Sequence, residues 1–357
     1  MSNNFFTLSA EEQSALIKKA SDQCHLPEII IEKDIWVCWL LQKIFTLPIQ
    51  MAFKGGTSLS KVFNLIKRFS EDCDITIDYH HFKPDLNLEN ISRTQLKKHG
   101  DQLKAQLQTY ISDTALPHLK NEISKIFPDE KFKITLSDDG EQLRFYYPSV
   151  VNTSFLAAQN GDFLITENSD YLLTETGSYL RDHVFIEFGV RNSTEPCENH
   201  LIEPYLSQAI KIDLGLPKTM VNTLSPTRTF FEKATLIHVE CHRDRMIKTP
   251  ERLSRHWYDL FMLQTSWVGK QALSQHAILK SVIEHKKAFF NASYANYDDC
   301  LLKKFRLIPD TYYLKTLEQD YTQMINAGMF HETPPTFNEI IKTLGGLERS
   351  INEKKWQ

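Results

Sequence analysis

The chain is 357 residues long, 41% hydrophobic and 24% charged, the balance of a soluble globular protein with room for one large domain or two smaller ones. Its net charge of −4 excludes coating of nucleic acid through bulk charge and leaves a local basic cleft open. Six cysteines, at positions 24, 38, 73, 197, 241 and 300, form no Cys-x-x-Cys pair, which argues against a zinc ribbon or a disulfide framework and for a reducing compartment.

Ser9-Ala10-Glu11-Glu12 has the form of a capping box and predicts a helix from about residue 10. A second helix is expected from Pro27, turning Ile31, Ile35, Cys38, Trp39 and Leu41 toward a core. The most apolar stretch, Ile35 to Phe45, is broken by Gln42 and Lys43 and is too short to span a bilayer. With no basic segment leading into an apolar one at the N-terminus, the expected location is the cytoplasm. Met51 to Lys54 read as a strand, followed by Gly55-Gly56-Thr57-Ser58 and a helix whose stripe is Leu59, Val62, Phe63 and Ile66. After Ser70 the period becomes two: Asp72, Asp74, Thr76 and Asp78 face one way, and Cys73, Ile75 and Ile77 the other.

Residues 93–126 are expected to be helical, without a functional reading. Lys131 to Leu136 and Leu143 to Tyr147 are expected strands joined at Asp138-Asp139-Gly140. Residues 157–183 read as a polar loop. Val184 to Val190 is a strand that puts Glu187 opposite Val184, Ile186, Phe188 and Val190. From about residue 229 the patterns are helical, punctuated by Pro250, Pro309 and Pro334-Pro335. The expected organisation is a mixed-sheet domain over 1–215 and a helical domain over 216–357.

A glycine turn at a helix start offers N–H groups to a phosphate, and paired carboxylates on the next strand can hold a divalent cation. Either signal alone is weak, since glycine turns and acidic strand faces are common. The sixteen positions from Gly56 to Asp72 allow about three helical turns and a return loop, bringing both to one rim. Glu187 is the candidate third carboxylate; the plain alternative pairs it with an arginine such as Arg191. From Arg228 to His256 the chain carries seven Lys/Arg against four Asp/Glu, enough for one wall of a triphosphate cleft, although Lys233 and Arg255 also suit an ordinary exposed helix. His238 and His242 have zinc-ligand spacing, but no third ligand is evident and helix packing is the default.

Lys54-Gly55-Gly56-Thr57-Ser58-Leu59-Ser60-Lys61 and Arg68-Phe69-Ser70-Glu71-Asp72-Cys73-Asp74-Ile75 resemble the first two motifs of the AbiEii/AbiGii-type nucleotidyltransferase toxins, bacterial members of the DNA polymerase β-like superfamily. Phe231-Glu232-Lys233-Ala234 and Arg255-His256-Trp257-Tyr258-Asp259 resemble the third and fourth. Ile31 to Val37, Glu187 to Arg191 and Asp320 to Met324 are also similar, so the resemblance runs nearly end to end. Cys73 stands where the family usually has an aliphatic residue, a harmless departure on the core-facing side.

The resemblance implies an α+β fold with a polymerase β-like core and mixed sheet, followed by a helical C-terminal domain. It implies magnesium, or manganese in its place, on Asp72 and Asp74, with Glu187 added from strand geometry. Gly56 and Ser58 would bind the triphosphate, and Gly55, Thr57, Lys61, Ser70 and Arg255 complete the expected nucleotide site. Lys233 would neutralise the phosphates, and Asp259 would position that lysine or the nucleotide. Family members are toxins held in check by a cognate antitoxin, in a type IV, abortive-infection-like arrangement. Some transfer nucleotides to the 3′ end of tRNA and others bind GTP. The reading is therefore transfer of a nucleotide from a nucleoside triphosphate to a tRNA 3′-hydroxyl, with nucleotidylation of a protein or a non-catalytic nucleotide- or RNA-binding module as alternatives.

Overall fold

The computed structural model describes residues 4–87, 91–151, 180–191, 193–243, 252–290 and 292–354. Helix α1 (Ala10–Cys24) begins at the expected capping box: the Glu12 N–H donates to Ser9 Oγ and the Ser9 N–H to the Glu12 carboxylate, at 3.2 and 2.9 Å. Helix α2 (Glu28–Ile44) is buried on nearly every side, as a helix through the middle of a protein must be. Its Trp36 and Trp39 pack on Phe145. It also buries three consecutive charged residues, Glu32, Lys33 and Asp34.

Strand β1 (Met51–Lys54) leads into α3 (Gly55–Lys61) and then β2 (Cys73–Ile77). The expected helix is cut short at Lys61. Asn64 takes a left-handed backbone, φ +50°, which asparagine tolerates, and the Leu65 N–H reaches back to the Leu59 carbonyl at 2.9 Å. The apolar stripe still packs inward: Leu59 and Ile66 are buried, and Val62 and Phe63 lie against the core.

Helix α4 (Arg93–Tyr110) passes through a wide π-type turn at Ile111–Ala115 into α5 (Leu116–Ser124). Pro117, which has no N–H and crowds the carbonyl four residues back, accounts for the widening. Strands β3 (Lys133–Leu136) and β4 (Gln142–Tyr146) form the expected hairpin, with Gly140 at φ +68°. The expected loop over 157–183 lies, up to residue 179, outside the described residues. Then come β5 (Val184–Gly189), β6 (Cys197–Ile202), α6 (Tyr205–Ala209) and β7 (Thr219–Leu224).

The seven strands make one mixed sheet in the order β3-β4-β5-β2-β1-β7-β6. β2 pairs antiparallel with β1 and parallel with β5, while β1 pairs parallel with β7. The sheet thus takes in strands on both sides of residue 215. Helix α2 packs against β2, β5 and β7, and Cys73, Ile75 and Ile77 are wholly buried. The rest is helical: α7 (Pro226–Cys241), α8 (Arg255–Thr265), α9 (Trp267–Ala272), α10 (His276–Phe289), α11 (Tyr297–Leu301), α12 (Thr311–Asn326) and α13 (Phe337–Glu353). Helix α7 packs against α8, α9, α10 and α11. Among the described residues no helix is long and apolar enough to cross a membrane.

Candidate active site

Register builds the first part of the site. Lys54, Asp74 and Glu187 are partners across β1, β2 and β5, so their side chains form one row. Asp72, two residues before Asp74, shares that face, and its carbonyl accepts the Thr57 hydroxyl at 2.5 Å. The glycine turn lies directly over the row. A Cβ on Gly55, which has φ +79°, would stand 1.8 Å from Asp74 Oδ2, so only glycine leaves room for that carboxylate. A Cβ on Gly56 would stand 2.8 Å from both Arg68 Nη2 and Ser70 Oγ, which places those two side chains against the turn.

The C-terminal helices supply the opposite wall. Asp259 is fully buried on α8 and takes a two-pronged bond from Arg68, with Nε and Nη2 each at 2.8 Å, and the Lys233 ammonium of α7 at 2.7 Å. Burial alone would raise the Asp259 carboxyl, but Arg68 and Lys233 outweigh it and hold it well below the usual carboxylate range. Burial lowers the Lys233 ammonium, partly offset by Asp259. Arg255, one turn before Asp259, donates to Asp72 Oδ2 at 3.1 Å, and Arg181 approaches Oδ1 at 3.5 Å. Arg252, Arg255 and Arg181 together override burial and keep Asp72 ionised, below its usual range.

Asp74 behaves in the opposite way. Burial first, and then the charges of Glu187 and Asp72, push its carboxyl up to about 7. Among the described residues neither Asp74 nor Glu187 has an ion pair, and Arg191, the alternative partner for Glu187, reaches Glu141 at 3.5 Å instead. Adjacent carboxylates fit a divalent cation, and the charges of Lys54 and Arg255 only partly offset what raises Asp74. The three expected ligands do not form a ready ligand set, however: among the described residues no three His, Cys, Asp or Glu side chains converge to hold a metal. Asp72 is turned onto two arginines, and Glu187 is exposed.

Several expected residues shape the site rather than face it. Thr57 and Ser58 are buried, and the Ser58 hydroxyl donates to the Gly55 carbonyl at 2.9 Å. Lys61 is not brought to the site. It is buried against Asp34 at 2.8 Å, with its ammonium 3.8 Å from the centre of the Tyr205 ring. His238 uses both ring nitrogens on main chain, Nδ1 accepting from the Arg306 N–H at 3.0 Å and Nε2 meeting the Asn296 carbonyl at 3.2 Å, so it is a packing residue.

Four cations escaped sequence reasoning: Lys54, Arg68, Arg181 and Arg252. Arg68 opens the second quoted motif and Lys54 directly precedes the glycines, so both had a local signal. Arg181 had none, and Arg252 had only its place in the basic stretch from Arg228 to His256. Arg252 pairs with Glu71, which also pairs with Lys33 of α2.

The nucleotidyl transferase AbiEii toxin family, of type IV toxin–antitoxin systems, matches residues 39–343. No curated protein matches the chain. A similar solved structure is MenT4, a nucleotidyltransferase toxin from Mycobacterium tuberculosis H37Rv, at 13% identity over 90% of this chain and 99% of that one, with a TM-score of 0.32. So low a score lends no weight to the site, which rests on the family match and on this chain's own geometry. With the family match spanning most of the sequence, the chain belongs to the AbiEii nucleotidyltransferase toxins of type IV toxin–antitoxin systems.

Proposed function

We propose that the chain moves a nucleoside monophosphate from a nucleoside triphosphate to the 3′-hydroxyl of tRNA, using magnesium or manganese. The observation that supports this most is the polarity of the cleft: Asp74 and Glu187, neighbours in register beside the glycine turn, with Arg255 on Asp72 and Lys233 on Asp259 across from them. Asp74, with Asp72, would hold the cation, and Glu187 stands beside them. Gly55 and Gly56 let the triphosphate approach the backbone; Ser70, Lys233 and Arg255 line its path, and Asp259 positions Lys233. The 216–357 part then supplies Lys233 and Arg255 and the 1–215 part the acidic row.

In the reaction the acceptor hydroxyl gives up its proton to solvent as its oxygen attacks the α-phosphorus in line, the bond to the bridging β-phosphate oxygen breaks, and pyrophosphate leaves. A bound cation supplies charge neutralisation at the α-phosphate. Lys233 and Arg255 stabilise charge gathering on the leaving pyrophosphate, and Asp74, ionised, orients what lies in the row. The tRNA acceptor comes from the family resemblance; the geometry asks only for a hydroxyl. A cognate antitoxin follows from the family, and a cytoplasmic setting suits an RNA acceptor.

The test is incubation with magnesium, total tRNA and each α-labelled nucleoside triphosphate in turn. Label should enter tRNA from one nucleotide, and Asp72→Ala or Asp74→Ala should reduce it at least about a hundredfold, since several kcal/mol of charge stabilisation is lost. Retained transfer in both variants refutes the site. Label on protein instead selects nucleotidylation, and nucleotide binding with no label anywhere selects the binding module.

A further inference from the structure

Asp72 sits inside a dense charge cluster. Lys33, Arg181, Arg252 and Arg255 surround Glu71 and Asp72, with the buried Asp320 carboxylate on the Arg252 N–H. Two members reach the cleft, Arg181 and Arg255, with side chains 24% and 25% exposed, against 0% for Lys33 and 7% for Arg252.

Arg181 is also firmly mounted. Its guanidinium lies over the Phe185 ring, 4.1 Å from the centroid, and its carbonyl accepts from Lys33 Nζ, whose other partner is Glu71. A guanidinium presents five donors in a fork suited to phosphate oxygens as well as to a carboxylate. Arg181 and Arg255 hold opposite oxygens of Asp72, as two arms of a clamp.

We infer that Arg181 is a second triphosphate-binding arginine, and that with Arg255 it exchanges one anion for another: the Asp72 carboxylate or the polyphosphate of the nucleotide. Asp72 is available to a cation only when the polyphosphate holds the arginines. Cation and triphosphate therefore favour each other's binding through Asp72, over and above direct contact between them. This rests on the nucleotidyl-transfer reading and adds a residue and an order to it.

The test uses the full chain and two separate probes, inorganic tripolyphosphate without metal by calorimetry and Mn²⁺ alone by electron paramagnetic resonance. Arg181→Gln should weaken tripolyphosphate about tenfold or more, the loss of a charge-assisted contact, and should tighten Mn²⁺ severalfold. Adding Asp72→Asn should abolish that gain. Unchanged tripolyphosphate affinity overturns the inference, as does a Mn²⁺ gain of full size in the Asp72→Asn background, which would mean simple removal of positive field. Arg181→Lys keeps the charge and loses the fork; it serves where the glutamine variant does not fold, with the same readouts and smaller changes. Failure of the wild type to bind the two probes even when both are present overturns the nucleotidyl-transfer reading itself.

Discussion

Replacing Asp259 by alanine should leave two buried cations facing each other with no anion between them. Asp259 is 0% exposed and Arg68 2%, and three bonds of 2.7–2.8 Å bind them and Lys233 together. Breaking a buried pair from one side costs about 3–5 kcal/mol, because the partner charges stay behind. At about 2.1 cal/mol/K per residue, a chain of 357 residues unfolds with an entropy of about 0.75 kcal/mol/K. Treated as one cooperative unit, the variant should therefore melt about 4–7 °C lower, and transfer should fall with it as Lys233 loses its anchor. The effect has a pH signature. The folded pKa of Asp259 is depressed, so its stabilisation is fully present above the unfolded carboxylate value of about 4 and is lost as pH falls through the folded value. The gap between wild type and variant should thus be widest at neutral pH and narrow in acid. Melting curves by circular dichroism across pH measure both. A neutral-pH melt within about 1 °C of wild type would refute the account of Asp259 as the tie between the two walls.

Three further substitutions separate the turn from its supports. Gly55→Ala puts a methyl group on the Asp74 carboxylate in a backbone region costing non-glycine residues about 1–2 kcal/mol. It should remove transfer and lower the melt, whereas Gly56→Ala meets only the ends of Arg68 and Ser70 and should do less; undiminished transfer by Gly55→Ala would refute the contact. Glu32 is raised from 4.5 to about 7 by burial, against opposing bonds from the Ser149 hydroxyl and the Val150 N–H. Its protonated form stabilises the fold below the unfolded pKa, and that contribution is lost as pH rises through 7. Glu32→Gln should therefore be more stable than wild type at pH 8, by up to about 3 kcal/mol, with no such gain at pH 5. Equal differences at both pH values in denaturant titrations would show that burial does not govern Glu32.

The legible parts of this protein are those whose causes are local. The Ser9 capping box, the Gly140 hairpin, the alternation around Asp74 and the face of β5 carrying Glu187 depend on neighbours within a few positions, and each stands as the pattern predicts. What pattern cannot carry is the partner of a buried charge. Lys61 is expected in the nucleotide site from the family resemblance, yet its partner Asp34 lies 27 positions back. The run Glu32-Lys33-Asp34 shows why such partners are invisible. Successive residues on a helix point about 100° apart, so three adjacent charges leave α2 toward three different elements. Glu32 takes the Ser149 hydroxyl and the Val150 N–H beyond β4. Lys33 takes Glu71, beside Asp72, and the carbonyl of Arg181. Asp34 takes Lys61 at the end of α3 and the Tyr205 N–H at the start of α6. One tripeptide thus braces the chain before the acidic strand, the helix after the glycine turn and the arginine that meets Asp72. Because all three hang from the same buried helix, none can shift without straining a buried polar contact made by α2.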